Sequence, residues 1–147
     1  MSGFLLDVNV LVALLWPAHE SHGAVQRWFG RHGRQAWATC PFTEAGFVRI
    51  LSNPAFSRDA VAPREALRVL SANLNHPSHR FWKDAIGYGE AVAAFEGRLA
   101  GYRQVTAAYL LGLAMHNEGK LATLDRAILS LLPADSAGGG PVEIVPS

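Results

Sequence analysis

The chain has 147 residues, half of them hydrophobic and 17% charged, with a net charge of +1 at pH 7. That is one domain's worth of chain, with enough apolar side chains to bury a core. No apolar run approaches the roughly 18 residues that span a bilayer, and the lone Cys40 excludes an intrachain disulfide. The apolar run 10–16 ends at Pro17 and has no basic segment ahead of it, so it does not read as a secretory leader. The expectation is a cytoplasmic protein with no membrane association.

Phe4–Leu6 reads as a buried strand, and Val8–Leu15 follows as a largely apolar helix that Pro17 stops. Residues 20–29 place Ala24, Val25, Trp28 and Phe29 on one helical face, with Gly30 and Gly33 as stop signals. A second short strand covers 36–39. Pro41 suits the first turn of a helix that carries Phe42, Ala45, Phe47, Val48 and Leu51 and ends at Ser52, Asn53 and Pro54. Pro63 starts another helix, to about residue 75. His76 begins a loop that enters a short strand around Phe81 and Trp82. Residues 87–98 are ambiguous and helical in part. Val105–His116 is apolar nearly all round, as a buried helix is, and Gly119 ends it. Residues 121–124 form a strand and Asp125 opens the next helix. A hinge at 137–141, with three glycines, precedes a last strand at 142–145. There is no internal repeat, so 1–147 reads as one domain.

Strands alternating with helices predict an α/β fold, with a mainly parallel sheet covered on both faces. Such sheets bind ligands outside the carboxyl ends of their strands. Asp7 and Asp125 fall there, each where a strand gives way to a helix, and Glu44 and Ala107 fall in the first turns of their helices. All four therefore converge on one edge. Taken singly, each Asp is most simply an N-cap and Glu44 a first-turn acid facing the helix dipole. Together they repel: two unit charges about 4 Å apart cost about 4 kcal/mol at an effective dielectric of roughly 20. Helix N-termini return only about 0.3–1 kcal/mol each. A divalent cation, Mg²⁺ or Mn²⁺, removes the repulsion and is what phosphodiester chemistry uses. The segment Val105-Thr106-Ala107 has the look of the acid-bearing ones, with Ala where an acid would complete the set.

Eleven of the thirteen basic residues are Arg, the side chain suited to bidentate phosphate contacts. With Asp7, Glu44 and Asp125 gathered round a metal, the remaining surface carries about +4, which fits a phosphate-rich partner. An ordinary Arg-rich surface fits the composition equally well.

Leu5-Leu6-Asp7-Val8-Asn9-Val10-Leu11 resembles the opening motif of the PIN-domain ribonucleases that serve as toxins in VapBC toxin–antitoxin modules. Trp37 to Glu44 and Val48 to Pro54 resemble that family's second motif. His79-Arg80-Phe81-Trp82, Arg103-Gln104-Val105-Thr106 and Leu121 to Arg126 continue in family order, as in the mycobacterial-type branch. The resemblance covers nearly the whole chain. It implies an α/β/α sandwich, Mg²⁺- or Mn²⁺-dependent cleavage of RNA, a homodimer, and inhibition by a small VapB-type antitoxin. Residue by residue, Asp7, Glu44 and Asp125 match three of the family's acids, and Asn9 and Thr123 match its polar supports. The fourth acid normally follows the Thr of Val105-Thr106, where this chain has Ala107. The resemblance thus implies Asp7 and Asp125 on the metal and Glu44 completing the site and orienting the attacking water. It also implies cleavage attenuated by the missing acid. The substrate would be structured RNA, either the sarcin–ricin loop of large-subunit ribosomal RNA or a tRNA. A non-catalytic module that binds antitoxin or RNA, and a DNA nuclease, are the competing readings.

Other residues carry less. His19 with His22, and His76 with His79, have metal-pair spacing but no third ligand nearby, so surface or loop roles are expected, zinc needing three or four ligands. Arg80 and Trp82 have the chemistry to clamp RNA bases, though core packing suits Trp82 better. Trp16, Trp28 and Trp37 are expected in the core or at a dimer interface. Arg49 lies just over a helical turn beyond Glu44, within reach of that acid or of an antitoxin.

Overall fold

In the computed structural model, which describes residues 3–134 and 140–147, five short strands form one sheet. They are β1 (Phe4–Leu6), β2 (Trp37–Thr39), β3 (His79–Phe81), β4 (Lys120–Thr123) and β5 (Val142–Ile144). Their order is β3-β2-β1-β4-β5, and every neighbouring pair is parallel. The central strands are apolar along their length because both faces are covered. Leu5, Ala38 and Leu121 point into one core, under α5 (Tyr88–Val92) and α6 (Val105–His116). Leu6, Trp37 and Ala122 point into the other, under α1 (Val8–Leu15), α2 (His22–Trp28), α3 (Pro41–Leu51) and α4 (Pro63–Leu74).

The order of strands decides where a ligand can sit. From β1 the chain steps outward through β2 to β3, then returns across the sheet to β4 and β5. The two directions part between β1 and β4, and their connections leave a crevice at the carboxyl ends of those strands. Asp7 follows β1 and, one residue after Thr123, Leu124 leads from β4 to Asp125. Helices α3 and α6 both start at this edge, so Glu44 and Ala107 are at the same rim.

Several boundaries differ from the sequence expectation. The helix expected over 20–29 is regular only over His22–Trp28 and then widens into a π-turn, Phe29–Gly33. Trp82 lies just past β3; its N–H donates to the Thr39 carbonyl at 2.8 Å and its indole is in the core. Residues 87–98 divide into α5 and a 3-10 segment, Ala93–Arg98, and the helix expected after Asp125 is likewise 3-10, Arg126–Leu131. Pieces this short do not repay α-helix nucleation, and the tighter bonding suits them. Of the expected hinge, residues 137–139 lie outside the described residues, and the last strand ends at Ile144, with the Val145 N–H still bonded to Thr123 O at 2.8 Å. Among the described residues no helix is long and apolar enough to cross a membrane.

Helix α6 packs on α5 at almost backbone contact. A Cβ on Gly112 would lie 1.9 Å from the Ala91 carbonyl oxygen, so only glycine permits this approach. Gly112→Ala is expected to lower the unfolding free energy by about 1–3 kcal/mol, despite the ~1 kcal/mol that Ala gains over Gly within a helix. Urea denaturation checks this, with Gly97→Ala, whose Cβ would meet nothing within 4 Å, as the control.

Candidate functional site

Asp7 caps α1. Its Oδ1 accepts from the Val8 N–H at 2.7 Å, and its Oδ2 accepts from the Thr123 hydroxyl at 2.8 Å. Thr123 is fully buried at the end of β4. With its one hydrogen given to Asp7, its oxygen accepts from Asn9 Nδ2 at 3.2 Å and from the Asp125 N–H at 3.1 Å. That uses the whole capacity of a hydroxyl. Asn9 closes the circuit, its Oδ1 accepting from the Leu124 N–H at 3.1 Å. Asp125 caps the 3-10 segment through Oδ1, which accepts from Ala127 N–H at 2.9 Å. The side chains of Asp7, Asn9 and Thr123 and the backbone of Asp125 are thus bound into one network across two neighbouring strand ends, and both carboxylates keep lone pairs for a further partner.

The electrostatics favour a positively charged partner. Burial raises the Asp7 carboxyl above its ordinary value near 3.8; bonds from Thr123 and Val8 lower it in part, and the charge of Asp125 raises it again. An ionised Asp7 is therefore held at a cost that a cation would lift. The donors are all oxygen, which matches a hard divalent ion. Mg²⁺ in particular is commonly held by one or two carboxylates, with water and substrate phosphate filling its shell. The residues present fit such an ion, with Asp7 and Asp125 as the holders.

One oxygen of Glu44 is engaged within the protein. Its Oε2 accepts from the hydroxyl of Thr39 at 2.7 Å, and Thr39 in turn lies 2.7 Å from His79 Nε2. Among the described residues no three His, Cys, Asp or Glu side chains gather as a metal-holding group. Ala107 is partly buried in the first turn of α6, packed against the core and offering no donor. Cys40 is buried beside β2 and its thiol is pushed up by burial, which keeps it unreactive.

Residues outside the expected set also reach this rim. Asp84 lies three residues past β3, whereas Asp7 directly follows β1. Its Oδ1 accepts from Tyr109 Oη at 2.5 Å. Burial, and then this bond, push the Tyr109 phenol well above its ordinary value. Phe42 and Tyr88 pack on the Tyr109 ring at 5.4 and 6.3 Å, and Tyr88 Oη donates to the Val105 carbonyl. Tyr102, just before α6, is 81% exposed, with the Arg103 guanidinium 5.7 Å over its ring.

The histidine pairs do not assemble as metal sites. His19 Nδ1 accepts from the Ser21 N–H, His22 Nδ1 donates to the Ala13 carbonyl, and His76 Nδ1 accepts from the Ser78 N–H. Trp82 is core, as its surroundings suggest, while Arg80 donates to the carbonyls of Pro77 and His79. Trp28 and Trp37 are core; the Trp28 indole N–H donates to Glu143 Oε2 at 3.1 Å, whereas the buried Trp37 N–H has no partner. Trp16 is half-buried against the core that covers Leu6. Arg49 is exposed, and the bond that Glu44 makes is to Thr39 instead.

The sign of the Asp7 shift gives a stability prediction. With the folded value above the unfolded one, the fold binds more protons between the two, so stability falls as pH rises through that window and the penalty stands at neutral pH. Asp7→Asn is expected to melt at or above the parent at pH 7 without metal. Mn²⁺ at about 100 times its dissociation constant should stabilise the parent by about 2.7 kcal/mol and leave Asp7→Asn unmoved. Melting curves with and without Mn²⁺ check both.

No protein-family model matches the chain. It is 41% identical over 141 residues to ribonuclease VapC39 of Mycobacterium tuberculosis, covering 96% of this chain and 98% of that protein. It is 40% identical to ribonuclease VapC38 of the same organism over 141 residues, 96% of each chain. Among solved structures, the chain resembles M. tuberculosis VapC20, described as a sarcin–ricin loop cleaving toxin. The TM-score is 0.61 at 15% identity, over 98% of this chain and 100% of that one. It also resembles a chain of Rickettsia felis VapBC2 bound to a DNA fragment from its promoter, with a TM-score of 0.56 at 14% identity, over 88% and 92%. At those identities the likeness is one of fold.

Proposed function

The chain belongs to the VapC ribonuclease family, and from that premise we propose that it is the toxin of a toxin–antitoxin pair whose rim of acids is built to cut structured RNA. The observation that carries the reading is the circuit of Asp7, Thr123, Asn9 and Asp125 across the crevice between β1 and β4. The whole chain, 1–147, acts as one PIN domain in the cytoplasm, as a homodimer, held in check by a VapB-type antitoxin. The favoured substrate is the sarcin–ricin loop of ribosomal RNA, the loop that VapC20 cleaves; a tRNA is the other.

A divalent ion, Mg²⁺ or Mn²⁺, supplies positive charge against the phosphate and acidifies water when bound. Asp7 and Asp125 are the residues that hold it. Thr123 and Asn9 fix the angle of Asp7 and the backbone entry to Asp125, the kind of support that sets how well a metal ligand performs. Glu44 stands at the start of α3, where its free oxygen can orient the attacking water and receive its proton. Tyr102, stacked with Arg103, offers a face for an unpaired base beside this rim.

Ala107 leaves the site one acid short, so the chain is an attenuated nuclease. Ala107→Asp is expected to raise metal-dependent cleavage of ribosomes or tRNA about 10²-fold. Cleavage assays with Mg²⁺ and with Mn²⁺ test this; no discrete cut by either form, with both folded and binding Mn²⁺, sinks the reading. That outcome leaves a non-catalytic module that captures antitoxin or RNA, which Ala107 favours as the second reading. Tyr102→Ala should weaken RNA binding about tenfold, stacking being worth about 1–3 kcal/mol per base, whereas Tyr102→Trp should retain it. Filter binding measures both.

A further inference from the structure

Three residues from three elements meet at one hydroxyl. Thr39, fully buried at the end of β2, lies 2.7 Å from Glu44 Oε2 on α3 and 2.7 Å from His79 Nε2 on β3. A threonine hydroxyl has one hydrogen, and an ionised carboxylate can only accept. The hydrogen therefore goes to Glu44, the Thr39 oxygen accepts, and His79 must be the donor, with a proton on Nε2.

The imidazole is fixed from its other sides. Its ring packs on Trp37 at 4.8 Å, and Trp37 is bracketed by the rings of Phe29 and His76 at 5.7 and 6.0 Å. Burial first, and then the charge of Arg80, lower the His79 pKa, and a bond to the Leu74 backbone raises it in part and holds the ring from another side. A first-turn glutamate that merely faced a helix dipole would need none of this. Nor would a buried threonine, which can satisfy itself on the preceding turn or strand.

We propose that His79 and Thr39 are positioning residues for Glu44, forming a donor chain that turns one carboxylate oxygen inward and leaves the other, Oε1, as the oxygen that works at the rim. The inference rests on Glu44 acting in an RNA-cleaving site. It gives the His79-Arg80-Phe81-Trp82 segment a use that the acids alone do not. The chain is short enough to be stiff: a bond to an ionised group is about twice as strong as a neutral one, and each of its members is anchored in regular structure.

The test has two arms. In the chain as it stands, ¹⁵N-histidine spectra at neutral pH should show a protonated Nε2 on His79; a bare Nε2 overturns the donor chain outright. In the Ala107→Asp background, Thr39→Val and His79→Phe keep the bulk and lose the bond. Each should lower kcat about tenfold with KM within about twofold. Thr39→Ser and His79→Gln keep a donor near the same place and should retain kcat within about threefold. Val and Phe variants that cut like their parent overturn the proposal, as do Ser and Gln variants that lose as much as Val and Phe. Melting curves identify a variant that fails to fold, and its conservative partner then decides. If Ala107→Asp cuts no RNA at all, the functional reading fails on its own, and the nitrogen spectrum still decides whether the chain exists.

Discussion

One hydroxyl group holds the rim together. Thr123 spends its hydrogen on Asp7 and its oxygen on Asn9 and on the backbone of Asp125. Neighbouring parallel strands lie about 4.8 Å apart, so residues leaving β1 and β4 side by side cannot avoid each other. By the register of the two strands Asp7 stands level with Thr123, and the charge of Asp125, two residues on, bears on it, so the two acids need a mediator. The protein supplies a mediator on its own side, the buried hydroxyl and amide, and leaves the outward side of both acids unsatisfied. Burial of Asp7 sharpens the effect, since its ionised form is disfavoured until positive charge arrives.

This arrangement could be read from the sequence as far as it depends on neighbours along the chain. Asp7 and Asp125 announce themselves because an apolar strand stops at or just before each acid and a helical turn starts there. Glu44 and Ala107 were placed at the same edge because Pro41 and the Val105-Thr106 step mark where helices begin. What sequence could not give is direction. Glu44 reads from the sequence as a first-turn acid at that edge; that Thr39 takes one of its oxygens, with His79 behind it from a strand 40 residues further on, is legible only in the fold. The sequence places His79 in a surface or loop role because no third metal ligand stands near it. Asp84, three residues past β3, gives no such signal.

The same rim shows why function and stability diverge. Like charges gathered at one edge destabilise the metal-free fold, and each acid removed relieves it. Ala107 is such a relief: a good helix former in the first turn of α6, packed on the core, where an acid would add to the field around Asp7. The remaining architecture makes no use of an acid at 107. The capping of α1, the Thr123 circuit and the Thr39 chain all persist without it.

The sheet's margins have a consequence of their own. Its outermost strands, β3 and β5, are three residues each, too brief to template the addition of a further strand from another polypeptide. Edge-to-edge growth into fibrils, or capture of an extended peptide by strand addition, finds little to hold. That leaves the outer surfaces of the helices as the broader faces for meeting other proteins, apart from the crevice where the strand order reverses.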